Sequence, residues 1–360
     1  MGQGSPATKH EQIYNDAVQL LRELIATPSF SREEEKTAER IAEFLSSKGI
    51  PFEKKANNIW AKNKYFDSNK PTILLNSHHD TVRPNKNYTF DPFTPVEKDG
   101  KLYGLGSNDA GASLVSLLAA FIHYYPEKEL KYNLMVAATA EEENSGDNGI
   151  ECILPELGNI DLAIVGEPTE MNLAIAERGL MVVDCKAKGT PSHAAHPNPD
   201  NAILNAMDDI DWIRNYSFPE KSEILGEVKL TVTIIHSGTL HNVVPDECTF
   251  TVDVRVNDRY SNAGVLEIMR QHMKSELTPR SLKLNSSSIS VSHPAVQAGL
   301  RLGRKTYASP TTSDQAVIPY PSVKIGPGSS LRSHSADEFI YPDEIREGIG
   351  IYIELLNQLL

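Results

Sequence analysis

Thr72-Ile73-Leu74-Leu75-Asn76-Ser77-His78-His79-Asp80-Thr81-Val82 runs from an unbroken aliphatic segment straight into His-His-Asp. The aliphatic part reads as a buried strand. In open α/β sheets the ligand crevice lies beyond the carboxyl ends of the strands, so imidazoles placed there face a pocket. His78 and Asp80 are two residues apart, and a strand has period two, so both project to one side. An imidazole there can bind a metal through nitrogen, with the carboxylate fixing orientation and charge. The competing reading is a polar loop with both histidines solvated. The rest of the chain decides between them, because it keeps placing carboxylates and histidines at strand ends.

Before this strand, Ile13, Ala17, Leu20, Leu21 and Leu24 recur at helical spacing over residues 10–25, and Ala26-Thr27-Pro28-Ser29 breaks that helix. Ser31 is expected to cap a second helix, with Glu34 at the capping-box position and Gly49 ending it. A strand is expected near 58–62. After the central strand, Gly104-Leu105-Gly106-Ser107-Asn108-Asp109 resembles a dinucleotide loop only superficially. Its pattern ends in aspartate, which would repel a pyrophosphate. The glycines instead let the backbone turn tightly and deliver Asp109, ahead of an apolar helix over 111–125. Tyr132–Ala138 is a strand ending in Ala140-Glu141-Glu142-Glu143, and Ile160–Val165 is a strand ending in Gly166-Glu167.

From Leu180 the pattern changes. Strands at 181–188, 229–237, 249–256 and 282–291 alternate with helices at 201–216 and 261–276, which is the split βαβ order. Ile203, Met207, Ile210 and Ile213 are expected on one face of the first of those helices. Helix resumes at 294–303, a short strand follows at 322–325, and Pro342–Leu360 is the last helix. The domains expected are 8–179 with 294–360, interrupted by an inserted domain at 180–293.

Composition narrows the function. Of 360 residues, 40% are hydrophobic and 23% charged, ordinary for a globular protein, while the net charge is −13. So acidic a chain is not expected to bind nucleic acid or an anionic membrane, which need a basic footprint. Cys152, Cys185 and Cys248 have no CxxC spacing, so neither a thiolate zinc site nor a disulfide framework is expected. The Gly/Ser/Pro-containing start, Met1–Lys9, is expected to fray and has no signal-peptide core behind it. No apolar run approaches the roughly 20 residues of a membrane span. The expected compartment is the cytoplasm.

Collected, the strand-end residues are His78, Asp80, Asp109, Glu142, Glu143, Glu167 and His334. Two imidazoles and three carboxylates suit two divalent cations, each with one histidine and one carboxylate, sharing an aspartate. Hard oxygen and borderline nitrogen without thiolate point to zinc, with cobalt or manganese as substitutes. A remaining glutamate is then free as a base, the arrangement of a two-metal hydrolase. Ser313 suggests a serine hydrolase only weakly, since no G-x-S-x-G elbow exists.

The motifs Ser77-His78-His79-Asp80-Thr81-Val82, Gly104–Asp109, Ala140–Glu143, Gly166-Glu167-Pro168-Thr169, Gly189-Thr190-Pro191-Ser192-His193 and Ser333-His334-Ser335 occur in one order. Together they resemble the zinc amidohydrolase and exopeptidase superfamily of acetylornithine deacetylase, succinyl-diaminopimelate desuccinylase, aminoacylase and bacterial glutamate carboxypeptidase, over about Glu11 to the end. The resemblance implies an α/β di-zinc exopeptidase-like catalytic domain with an inserted ferredoxin-like α+β lid that forms a homodimer. It implies that His78 and Glu167 bind one metal, that Glu143 and His334 bind the other, and that Asp109 bridges them. Glu142 would be the general base, Asp80 would support His78, His193 would reach the partner subunit's site to hold the oxyanion, and Asn242 and Arg255 would grip the substrate carboxylate. Ser77 stands where the family usually has glycine, and Glu141 where aspartate is common, so the choice of Glu142 as base rests on register. His79, His196, His236 and His241 are read as surface or packing residues, and Arg255 could instead pair with Asp253 or Asp246.

The expected reaction is amide hydrolysis of an N-acyl amino acid. The acetylornithine deacetylase branch is the nearest in wording, which makes N-acetyl- or N-succinyl-ornithine, and arginine biosynthesis, the leading expectation. Succinyl-diaminopimelate desuccinylase or a dipeptidase or carboxypeptidase is the alternative, and a metal-binding scaffold without activity is the non-enzymatic one. Arg178 or Arg332 could receive a succinyl carboxylate if their loops face the pocket.

Overall fold

Residues 6–360 are described by the structure, a computed structural model; the fraying expected for Met1–Lys9 falls, as far as Ser5, on residues outside that description. A helix runs from Pro6 to Ile25. Two units divide the chain. One comprises Met1–Ile175, Ile289–Tyr307 and Ser313–Leu360, and the other Ala176–Ser288 with Ala308–Thr312.

In the first unit the neighbouring strands are, in order, Glu53–Lys55, Asn58–Lys62, Asn133–Thr139, Thr72–His78, Leu162–Val165 and Ser322–Lys324. Thr72–His78 pairs in parallel with Asn133–Thr139 on one side and Leu162–Val165 on the other, and Ser322–Lys324 continues the parallel set. The quoted stretch is therefore at the centre of the sheet, buried at all seven strand positions. Ile73 and Leu75 pack into the apolar cluster that includes Leu21, Leu117, Phe121 and Tyr352, whereas Leu74 joins Trp60, Met135 and Ile153 on the other face. Burial on both faces explains why the sequence shows a continuous apolar run instead of an alternating one. The helix Ala112–Tyr124 is apolar nearly all round and almost wholly buried. It lies so close to the strand ends that a side chain on Gly166 would come within 2.7 Å of Leu117 Cδ1.

The second unit is an antiparallel sheet in the order Lys229–Ser237, Glu247–Val256, Gly179–Lys188, Glu276–Pro279, with helices Ala202–Asn215 and Asn262–His272. This is β-α-β-β-α-β connectivity. In Gly179–Lys188 buried and half-buried positions alternate along nearly the whole strand.

Local expectations fail at two places. Glu34, not Ser31, precedes the helix Glu35–Ser47, and it makes no side-chain cap. The Ser31 hydroxyl instead donates to Asp80 Oδ2 at 2.7 Å, a tertiary bond that local spacing cannot reveal. The strand that completes the second sheet is Glu276–Pro279, ahead of the apolar residues at 282–291 that suggested one. In the helix Ala202–Asn215 the buried residues are Ala202, Ala206, Asp209 and Ile213, while Met207 is 51% exposed.

Candidate metal centre

Parallel strands deliver their carboxyl ends to one edge of the sheet, and the first unit's candidate residues follow from that. His78 is the last residue of the central strand, 1% exposed, and its Nδ1 lies 3.0 Å from the Asp80 carbonyl oxygen and 3.4 Å from Asp80 Oδ1. Its Nε2 faces Asp109 Oδ1 at 3.3 Å, Glu167 Oε1 at 3.7 Å and Glu142 Oε2 at 3.9 Å. The other oxygen of Asp109 faces His334 Nε2 at 3.8 Å, and that same nitrogen is 2.9 Å from Glu143 Oε2. Two sets result, His78–Asp109–Glu167 and Asp109–Glu143–His334, each with ligand atoms within 4.8 Å of one another. Asp109 is common to both, one oxygen toward each imidazole.

Local conformation separates the three glutamates. Glu141 has a left-handed φ of +54°, which costs energy for a residue with a Cβ. Its side chain is buried away from the sets and accepts hydrogen bonds from the Asn148 backbone N–H and Nδ2. The backbone N–H groups of Glu142 and Glu143 donate to the two oxygens of Asp80, both at 3.1 Å, which fixes the register of the run. Glu143 belongs to a set; Glu142 stands beside His78 outside both.

Electrostatics test whether cations fit. His78 is held well above its ordinary range: burial opposes its charge, but Glu142, Asp109, Asp80 and Glu167 outweigh it. Burial, then Glu167, Asp314 and Glu143, push Glu142 well up against the pull of His78. Glu167 rises to about 8, by burial and the charges of Asp109 and Glu143, with His78 and Lys324 pulling back. His334 rises to about 9, chiefly through its bond to Glu143. The carboxylates of Glu142 and Glu167, held so strongly toward the neutral form, are short of positive charge, which a divalent cation would supply. The donor set of imidazole and carboxylate suits zinc, and the sets contain no thiol.

The sequence profile of peptidase family M20/M25/M40 matches residues 74–358. The chain belongs to that family. Its relatives include the succinyl-diaminopimelate desuccinylase of Wolbachia pipientis wMel, 26% identical over 95% of this chain and 93% of the relative. Another is succinyl-diaminopimelate desuccinylase 2 of Ruegeria sp. (strain TM1040), 28% identical over 72% of this chain and 70% of the relative. Solved structures of similar fold include aminopeptidase PepT from Bacillus cereus (TM-score 0.75, 19% identity, covering 96% and 98% of the two chains) and a dinuclear metal-binding peptidase of the M20 family from Bacillus subtilis (TM-score 0.73, 18% identity, covering 96% and 98%). The superfamily resemblance read from the motifs therefore holds, and with it a hydrolase of the metallopeptidase type.

Several M20 motif residues prove structural. Ser77, at the usual glycine position, donates its hydroxyl to the Gly166 carbonyl oxygen at 2.8 Å. His79 packs inside, with Nδ1 2.9 Å from Thr37 Oγ1 and Nε2 2.9 Å from the Asn57 carbonyl oxygen, and burial lowers its pKa to about 4. Arg332 is committed to Glu344 by bonds of 2.6 and 3.0 Å. Sequence reasoning missed Glu338, 1% exposed, whose carboxylate accepts the backbone N–H groups of Gly106, Asn108 and Asp109. Burial and then Asp109 push it to about 8, while those N–H groups pull it down. It also left Asp314 without a role; that carboxylate accepts from Asn76 Nδ2 at 2.7 Å and Thr139 Oγ1 at 2.9 Å.

The remaining candidates lie in the second unit. Ser192–His193 pairs with Val243–Val244, and the Ala194 N–H donates to the Asn242 carbonyl oxygen at 2.9 Å, so exposed His193 and Asn242 share one end. Arg255 is opposite Leu180, near the far end of the strand Glu247–Val256, and its Nε and Nη2 donate to Asp253 at 2.8 and 3.1 Å. Eight residues of strand separate Arg255 from Glu247, about 26 Å at 3.3 Å per residue. Arg178 donates to the Glu227 and Leu225 carbonyl oxygens.

The register of the glutamate run yields a paired prediction. Glu142→Gln should retain two metals per chain and lose turnover by about 10²–10⁴-fold, the scale of a lost general base. Glu143→Gln should lose occupancy of one metal, read by atomic absorption after dialysis. The reverse pattern would show the register to be off by one.

Proposed function

We propose that this M20 protein hydrolyses the amide bond of an N-acyl amino acid, using two zinc ions held by His78, Asp109, Glu167, Glu143 and His334. The observation that carries the reading is the pair of ligand sets sharing Asp109, with Glu142 outside both and adjacent to His78. Bound there, the cations would polarise the scissile carbonyl and acidify a water. Glu142 takes the proton of the attacking water and returns it to the leaving nitrogen, so one carboxylate serves as base and then acid. Asp80 holds the His78 ring and the backbone of Glu142 and Glu143 in place while this happens. Arg255 keeps Nη1 for the substrate carboxylate after Asp253 has taken Nε and Nη2.

The relatives' names favour a succinyl acyl group and the desuccinylase alternative, and they give no support to acetylornithine or to arginine biosynthesis. We therefore place N-succinyl amino acids first and leave diaminopimelate and ornithine to direct comparison. A cytoplasmic location belongs to the same proposal, on the three free cysteines. Among the described residues no helix is long and apolar enough to cross a membrane.

A homodimer through the inserted unit completes the proposal. His193 follows and Asn242 precedes the Lys188/Glu247 end of the sheet in the chain, while Arg255 is paired with Leu180 near the opposite end, which supports taking them from different subunits. The geometry suits a site that takes His193 and Asn242 from a partner subunit. Lys229–Ser237 is an edge strand with Ile234 and Ile235 44% and 50% exposed, and nearby in sequence Leu240 and Val243 flank Asn242 at 62% and 44%. An apolar open edge of this kind is normally covered, and a second copy would cover it symmetrically.

Two experiments test these readings. In a panel of N-succinyl-diaminopimelate, N-succinyl-ornithine, N-acetyl-ornithine and dipeptides, one of the succinyl substrates should exceed the acetyl one in kcat/KM by at least about tenfold, the worth of one charge-assisted contact. Equal or better turnover of the acetyl compound or a dipeptide would refute the succinyl preference. Separately, His193→Ala should fall by about 10²–10³-fold in rate with normal metal content, as for a lost oxyanion donor. Mixing it with Glu142→Gln subunits should restore activity, since one site of each hybrid dimer has both groups. Hybrids that form and stay inactive would contradict the cross-subunit assignment.

A further inference from the structure

We propose that Glu338 is a positioning residue for the metal centre: its carboxylate fixes the main chain that presents Asp109 and ties that shared ligand to His334, four residues away. This rests on the reading of Asp109 as the ligand common to both cations. The segment 104–111 has to turn sharply, with Gly106 at φ +75°, and Asn108 is fully buried. Its N–H groups therefore point into the protein, where unpaired donors are costly. Glu338 Oε1 accepts from Asn108 and Asp109, both at 2.9 Å, and Oε2 accepts from Gly106 at 3.1 Å. Both oxygens are thus engaged by the backbone, and Glu338 belongs to neither metal set.

The segment 334–338 reaches the site twice. His334 and Asp337 have left-handed φ of +58° and +53°, so the chain bends between the imidazole and the carboxylate. His334 Nε2 then stands 3.8 Å from Asp109 Oδ2 while Glu338 holds the Asp109 N–H. The Glu338 carbonyl oxygen accepts from Gly104 N at 3.0 Å, and Asn108 and Ser329 exchange two further bonds of 3.1 and 3.0 Å. Two segments that together supply a histidine and the shared carboxylate are laced at five backbone N–H groups. Displacing Glu338 moves Asp109 relative to His78 and His334 alike, so the effect falls on metal binding itself.

The test is calorimetric titration of chelator-treated protein with Zn²⁺, together with the visible spectrum of the Co²⁺-loaded form. Glu338→Gln keeps the size of the side chain and one acceptor, and turns the other oxygen into a donor facing N–H groups. Wild type should take two ions per chain. The variant should bind at least one of them about 10–100-fold more weakly, the usual cost of losing a partner that orients a ligand, with altered cobalt bands. Two-ion uptake with unchanged affinity and spectrum would overturn the inference, even if the variant melts earlier. A wild-type chain that takes fewer than two ions overturns the shared-ligand reading first, and this inference with it. If the variant does not fold, amide exchange on metal-free wild type decides. The Gly106, Asn108 and Asp109 N–H groups should be protected as well as those of Thr72–His78, and exchange at loop rates would overturn the inference.

Discussion

The carboxylate of Asp80 is wholly buried, and its partners are the parts of the centre that have to be brought together. Ser31 donates at 2.7 Å, the N–H groups of Glu142 and Glu143 each at 3.1 Å, and His78 Nδ1 stands 3.4 Å away. A buried carboxylate is tolerated only when its oxygens are satisfied in this way. Burial works against its ionisation, but the hydrogen bond and charge of His78 and the Ser31 hydroxyl hold it below the usual range. One group thus sets the His78 ring, the register of the glutamate run and the path of the chain into the helix Glu35–Ser47. The parallel sheet makes this possible by ending Thr72–His78, Asn133–Thr139 and Leu162–Val165 side by side.

Around that anchor the balance of charge runs the other way. Glu142 and Glu167 are driven toward their neutral forms first by burial, with Glu167 and Glu143 adding to it at Glu142 and Asp109 and Glu143 at Glu167, while His78 pulls on both and Lys324 on Glu167. An edge that collects so many acids suits cations, which would convert mutual repulsion into ligation. In the proposed centre Glu142 would be the acid left over from that ligation. Its place beside His78, outside both sets, is the position from which a proton can be carried.

Much of the centre was legible because strand ends are legible: an apolar run followed by His-His-Asp, Glu-Glu-Glu or Gly-Glu places each side chain at the same edge. The long strand Glu247–Val256 of the second unit was legible from alternation in Phe250, Val252, Val254 and Val256. Contacts between distant segments were not. Ser31 looks like a cap because Glu34 follows it by three, yet its partner is 49 residues away. Glu338 offers only an acidic pair ahead of Pro342, which reads as an ordinary helix start, although its carboxylate closes a turn some 230 residues earlier. The strand expected at 282–291 shrinks to Ser287–Ser288, which pairs with Ala176 and Glu177 in the other sheet, and Glu276–Pro279 supplies the edge pairing of the second sheet instead.

The central claim is that two cations sit in this crevice and share Asp109. Anomalous diffraction at the zinc absorption edge, from crystals of protein purified without chelator, tests it most directly. Two peaks are predicted, one among His78, Asp109 and Glu167 and the other among Asp109, Glu143 and His334, with Glu142 bound to neither. A single peak with Asp109 terminal, or a peak ligated by Glu142, would contradict it.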